Sequence, residues 1–90
     1  MTPIERASRA LCKLEGNPEN IKFDGKPMWQ RYMPQALAVI EALHEPSPAM
    51  REGGSEIIRA LCPDHSNQVI EDDAANIWRL MIDAMRKEAP

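Results

Sequence analysis

The stretch Val69–Lys87, VIEDDAANIWRLMIDAMRK, decides the fold class of this 90-residue chain. Its apolar residues recur every three or four positions, which is the period of one face of an α-helix. They are Val69, Ile70, Ala74, Ile77, Trp78, Met81, Ile82 and Met85. The acidic pair Asp72-Asp73 near the start and the basic pair Arg86-Lys87 near the end complement the helix dipole. The pattern predicts a helix over about residues 70–87, with Asn67 as its earliest predicted start.

The same period predicts a helix at the front of the chain. Thr2-Pro3-Ile4-Glu5 is a capping box with proline at the first helical position. Gly16 stands where a left-handed helix cap is wanted, and Asn17-Pro18 cannot continue the helix. The first helix is therefore predicted over residues 3–15.

Two further helical patterns contain residues that disfavour a helix. The pattern over residues 28–44 includes Pro34, which predicts either a kink or a short first turn followed by a restart. The pattern over residues 48–61 begins with Ser47-Pro48 but includes Gly53-Gly54. Because a glycine costs about 1 kcal/mol inside a helix, an interruption is predicted there.

The expected fold is all-α, a small bundle of about four helices in a single domain over residues 1–90. No stretch of useful length alternates with period two, so no strand is predicted. The segment 16–26 is interpreted as an ordered loop pinned by Ile21 and Phe23.

Composition narrows the function classes. The net charge of −3 argues against general nucleic-acid binding, which needs a basic face to displace counterions. The charge is uneven: residues 1–33 carry six Lys and Arg against four Asp and Glu, while residues 34–90 carry five against ten. A chain this short buries a small core, so a homo-oligomer is expected, and the charge split suits head-to-tail association.

Neither a metal site nor a catalytic site is predicted. The potential metal ligands Cys12, His44, Cys62 and His65 lack the two close-spaced pairs of structural zinc. No nucleophile motif, phosphate loop or dinucleotide fingerprint occurs, so neither catalysis nor a cofactor is expected. The cysteines are interpreted as small core residues.

The segment from Lys22 to Tyr32 is the candidate ligand site, because it holds three of the four aromatic side chains with three basic residues and one acidic residue. Aromatic faces beside cations suit a planar anionic ligand. The candidate residues are Lys22, Lys26, Trp29, Arg31 and Tyr32, joined by Arg6 and Arg9 from a basic row on the first helix. In the competing interpretation, Trp29 and Tyr32 belong to the core and the basic residues coat the surface.

The expected setting is cytoplasmic, because Pro3, Glu5 and Arg6 interrupt any early apolar run and no stretch is long enough for a membrane span. Two cysteines are then expected to stay reduced.

Short motifs along most of the chain resemble a group of short proteins encoded by tailed bacteriophages and prophages. They are Ile4-Glu-Arg-Ala7-x-x-Ala10-Leu-Cys12, Trp29-Gln-Arg-Tyr32, Ala36-Leu-Ala-Val-Ile40-Glu-Ala-Leu43, Glu45-Pro-Ser47-x-Ala49-Met50 and Trp78-x-x-Met81-Ile-Asp-Ala84. Gly53-Gly54 departs from the group, where a single glycine or alanine is expected. The resemblance implies an accessory phage protein in a bacterial cytoplasm and supplies no activity for individual residues.

Together these features favour a binding protein that antagonises a host process by occupying a host protein or a small ligand, with capture of a nucleotide-type signal as its specific form. A protein-protein interaction module without a small ligand, an inhibitor or a virion or replication accessory, is the second hypothesis. A DNA-binding regulator is disfavoured, because residues 55–61 offer only Arg59 to a recognition helix.

Overall fold

The computed structural model describes residues 1–88, and within them the protein is all-α, as predicted. Four α-helices follow one another along this part of the chain: α1 (Pro3–Leu14), α2 (Met33–Ala42), α3 (Pro48–Leu61) and α4 (Asn67–Lys87). Between α1 and α2 lie two short strands, β1 (Lys22–Phe23) and β2 (Lys26–Pro27), and a 3₁₀ helix (Met28–Tyr32). None of these helices is long and apolar enough to cross a membrane.

The chain divides into two compact units. Unit 1 comprises residues 1–42 and 84–90, and unit 2 comprises residues 43–83. The prediction of a single helical domain over residues 1–90 stays a prediction, and its last two residues lie outside the described part.

The core of unit 1 joins α1 to the 3₁₀ helix. Cys12, Trp29 and Tyr32 form a buried cluster, against which Leu11, Met28 and Met33 pack. The start of α1 follows the predicted capping box, since the Thr2 hydroxyl accepts a hydrogen bond from the Glu5 amide at 3.2 Å. On the buried face of α1, the Ser8 hydroxyl donates to the Ile4 carbonyl at 2.8 Å, which satisfies a polar group inside the core.

Pro34 begins a helix and does not kink one. The chain makes one 3₁₀ helix over Met28–Tyr32 and then starts α2 at Met33, so that Pro34 lies in the first turn of α2. A first-turn amide has no partner within its helix, so the missing N–H of proline costs little there. Of the two predicted alternatives for residues 28–44, the restart is confirmed.

The prediction of no strand was wrong at one place. β1 and β2 pair antiparallel, with Lys22 opposite Pro27 and Phe23 opposite Lys26. Asp24 and Gly25 connect them with φ of 51° and 77°, the left-handed conformation that both central residues of a type I′ turn require. Each strand has only two residues, too few for an alternating pattern to be visible.

The loop around this hairpin is ordered by its backbone. Ile21 and Phe23 were expected to pin the segment, yet Ile21 is 56% exposed and Phe23 is 46% exposed. Instead, the Met28 amide donates to the Ile21 carbonyl at 2.8 Å and the Trp29 amide to the Glu19 carbonyl at 3.2 Å. Hydrogen bonds of the main chain therefore hold this loop in place, and not the side chains of Ile21 and Phe23.

In unit 2, α3 runs without the interruption predicted at Gly53-Gly54. A Cβ at Gly54 would lie 3.2 Å from the Ala74 Cβ of α4, so α3 and α4 approach closely at this point. The close approach, with the fully buried Ser55 beside it, offsets the low helix propensity of the two glycines. Helix α4 begins at Asn67, the earlier of the predicted starts.

Candidate functional site

The hairpin sorts its side chains onto two faces. Residues paired directly across an antiparallel ladder point to the same face, and neighbours along a strand point to opposite faces. Phe23 and Lys26 are paired and share one face, whereas Lys22 is paired with Pro27 and lies on the other. The structure therefore separates Lys22 from Lys26, although the sequence places both in one basic segment.

The 3₁₀ helix adds Arg31 to the face that carries Phe23. The Arg31 guanidinium lies over the Phe23 ring, 4.4 Å from its centroid, which is within the range of a cation–π contact. Its Nη1 also lies 3.9 Å from the Met28 sulfur. Phe23 remains 46% exposed, so this ring and its guanidinium form a flat surface that solvent reaches.

An open cavity of about 660 Å³ lies on this face. It is lined by Phe23, Asp24, Lys26, Gln30, Arg31 and Met33. Within residues 1–88 no carboxylate forms an ion pair with Lys26 or Arg31. The cavity thus combines a planar aromatic surface with two cations whose charges are available to an anion.

Trp29 lies elsewhere, in the core of unit 1. It is only 4% exposed, and the Arg9 guanidinium lies over its ring at 5.1 Å. Arg9 is held in turn by Asn20 at 3.0 Å and by Glu19 at 3.4 Å. Trp29 and Arg9, both predicted for the ligand site, therefore have partners within unit 1. The Trp29 ring offers no open face for stacking.

Tyr32 is also a core residue, with its hydroxyl at the edge of the cluster. The hydroxyl donates to Glu15 at 2.6 Å and accepts from the Asn17 amide at 2.7 Å. The hydrogen bond to the Glu15 carboxylate raises the pKa of Tyr32, and partial burial adds to the shift. A second, polar cavity of about 240 Å³ adjoins this hydroxyl and is lined by Glu15, Asn17, Arg31, Tyr32 and Gln35.

Arg6 is exposed on α1 and does not line either of these cavities. Of the seven residues predicted for the ligand site, Lys26 and Arg31 line the hairpin cavity, and Arg31 and Tyr32 line the smaller polar cavity. Phe23 joins Lys26 and Arg31 in the hairpin cavity. The sequence could have indicated Phe23, because the Asp24-Gly25 pair is a hairpin turn signal that fixes the pairing of the residues on either side.

The thiols and imidazoles do not assemble into a metal centre. Among residues 1–88 no three potential ligands of the Cys, His, Asp or Glu type come together. Cys12 is buried, its Sγ donates to the Asn17 carbonyl at 3.5 Å, and burial raises the pKa of this thiol. Cys62 is a half-buried free thiol.

Comparisons with protein-family models, curated proteins and solved structures gave no match to this chain. The resemblance to the phage-encoded group stays a prediction, and the geometry of the chain carries the functional argument.

Proposed function

We propose that the protein acts by stoichiometric binding, without catalysis, and that the hairpin face holds a planar anionic ligand of nucleotide type. One observation carries the proposal: Arg31 lies over the exposed ring of Phe23 in a cavity that Lys26 also lines. A nucleobase stacks on such a surface, and its phosphate pairs with the cations. The cavity volume of about 660 Å³ lies within the range of small-ligand sites.

The biological setting belongs to the same proposal. A small phage or prophage protein in a bacterial cytoplasm that removes a nucleotide signal from solution antagonises the host process that the signal activates. The support for this setting is the likeness of the five sequence motifs to the phage-encoded group.

Calorimetric titration of the purified protein with linear and cyclic nucleotides tests the ligand. We expect binding to one or more of them, and we expect Arg31→Ala and Lys26→Ala each to weaken it about tenfold, the effect of losing one charge-assisted contact. Lys22→Ala is the matched control, because it makes the same chemical change on the opposite face of the hairpin. Tyr32→Phe is the control for a change in the buried cluster of unit 1, outside the hairpin cavity.

Two outcomes contradict the proposal. One is the absence of heat with every nucleotide at millimolar concentration. The other is an equal loss of affinity in Lys22→Ala and Lys26→Ala, which would indicate a diffuse electrostatic effect and not a site on one face.

A protein-protein interaction module without a small ligand is the second candidate. It is favoured by the large apolar side chains that unit 2 leaves exposed on α3 and α4, notably Ile57, Leu61 and Leu80, since such patches mark interaction surfaces. This candidate predicts indifference to nucleotides in the same titration, together with a specific protein partner recovered by cross-linking in cells.

A further inference from the structure

Helix α3 carries an exposed apolar ridge. Ile57 and Leu61 are four residues apart, a spacing that places them on one side of the helix. Ile57 is 74% exposed and Leu61 is 77% exposed. These two large side chains form the ridge, and most of their surface is open to solvent.

Helices α1 and α2 form an apolar groove. The groove has a cavity volume of about 440 Å³ and is lined by Ala7, Ala10, Leu11, Leu14, Ala36, Val39 and Ile40. Its alanines are small, and its rim residue Leu14 is 82% exposed. A groove floored by small residues is the shape into which a ridge of Ile and Leu side chains packs.

The two units carry net charges of opposite sign. Unit 1 contains eight Lys and Arg against six Asp and Glu, a net charge of +2, and unit 2 contains three against eight, a net charge of −5. A contact between two copies of unit 2 joins like charges, whereas a contact between unit 1 of one copy and unit 2 of another joins opposite charges. Self-association is therefore favoured head to tail.

We propose that the protein assembles head to tail, with the α3 ridge of one copy (Ile57, Leu61) seated in the α1/α2 groove of a second copy. This assembly does not depend on the nucleotide proposal, since the hairpin residues Phe23 and Lys26 line neither surface. In a head-to-tail contact of this kind, the assembly keeps one free ridge at one end and one free groove at the other after each copy is added. The wild-type mass therefore exceeds that of a dimer, either in a closed ring or in chains that lengthen with concentration.

Light scattering coupled to size exclusion measures the mass directly. Wild-type protein at about 1 to 500 µM, a range suited to a micromolar Kd, is expected to reach more than twice the monomer mass of 10.2 kDa, and a mass that stops at the dimer would contradict the proposal. Ile57→Glu removes the ridge and Leu14→Glu removes the groove, and each variant is expected to be monomeric. Both side chains are exposed, so the substitutions spare the core, and circular dichroism checks the helix content.

A mixture of the two monomeric variants is the decisive sample. Ile57→Glu retains its groove and Leu14→Glu retains its ridge, so together they are expected to form a one-to-one dimer that grows no further. Ile21→Glu, the same change at an exposed isoleucine outside both surfaces, is expected to assemble like the wild type. A wild-type protein that is monomeric throughout, or a mixture that stays monomeric, overturns the proposal.

Discussion

At the scale of single residues, Arg79 and Glu45 show how unit 2 fixes the segment before α3. The guanidinium donates to both carboxylate oxygens, from Nε to Oε1 at 2.9 Å and from Nη2 to Oε2 at 2.8 Å. The hydrogen bonds from Arg79 hold the pKa of Glu45 below its ordinary value of 4.5. Because Glu45 is largely exposed, solvent screens the pair and its contribution is small.

The lowered pKa of Glu45 gives a pH dependence with a defined sign. The unfolded chain binds the Glu45 proton more readily than the folded chain, so the stabilisation is complete above the ordinary pKa and is lost as the pH falls through the lowered one. We expect the free energy of unfolding to decrease less between about pH 5 and pH 3 in Glu45→Gln than in the wild type. Urea denaturation at low salt measures it. Glu88→Gln, at an exposed position on the last turn, is the control, and identical pH profiles for all three proteins would refute the assignment.

The sequence grouped seven residues into one candidate site, and the structure places two of them, Lys26 and Arg31, in the hairpin cavity. Helical spacing alone leaves Trp29 and Tyr32 on either a core face or a ligand face, because both interpretations use the same period. The core interpretation fits the structure, through contacts with distant residues: Arg9 over Trp29 and Glu15 on the Tyr32 hydroxyl. Such pairings depend on tertiary packing, which a single sequence does not reveal.

At the scale of elements, the two glycines of α3 differ in their contact with α4, and this difference should alter the effect of replacing each one. A Cβ at Gly53 meets nothing within 4 Å, whereas a Cβ at Gly54 lies 3.2 Å from the Ala74 Cβ. Gly53→Ala is therefore expected to raise the free energy of unfolding by about 1 kcal/mol, the helix-propensity difference. Gly54→Ala is expected to gain less, because Ala74 must move. Chemical denaturation of both variants measures the two values, and equal gains would mean that the α3–α4 approach exerts no constraint.

The helix ends were predictable from the sequence, and the interruptions were less so. The helix caps at Thr2 and Ser47 depend only on residues close by in the sequence, and the structure confirms both. Proline at residue 34 and glycine at residues 53 and 54 all disfavour a helix, but proline costs about 3 kcal/mol and glycine about 1 kcal/mol. Only Pro34 marks a boundary, and α3 continues through both glycines.

At the scale of the whole molecule, the charge asymmetry read from the sequence coincides with a structural division. The excess of basic residues in the first third of the chain falls in unit 1, and the acidic excess falls in unit 2. The spacing of apolar residues could predict the all-α class, since every long segment has a helical period. It could not predict which apolar residues stay exposed, because Ile57 and Ile70 follow the same helical spacing rules and only Ile70 is buried.

The positions of the two tryptophans provide separate optical probes of the two units. Trp29 lies in unit 1, and Trp78 lies in unit 2 with its indole N–H donating to the Leu43 carbonyl at 2.7 Å. Trp78→Phe leaves a fluorophore that senses unit 1 alone, and Trp29→Phe leaves one that senses unit 2 alone. If the chain is one cooperative domain, the emission change in each variant coincides with the loss of circular dichroism during denaturation. Emission and dichroism midpoints that separate in either variant would show two independently melting halves.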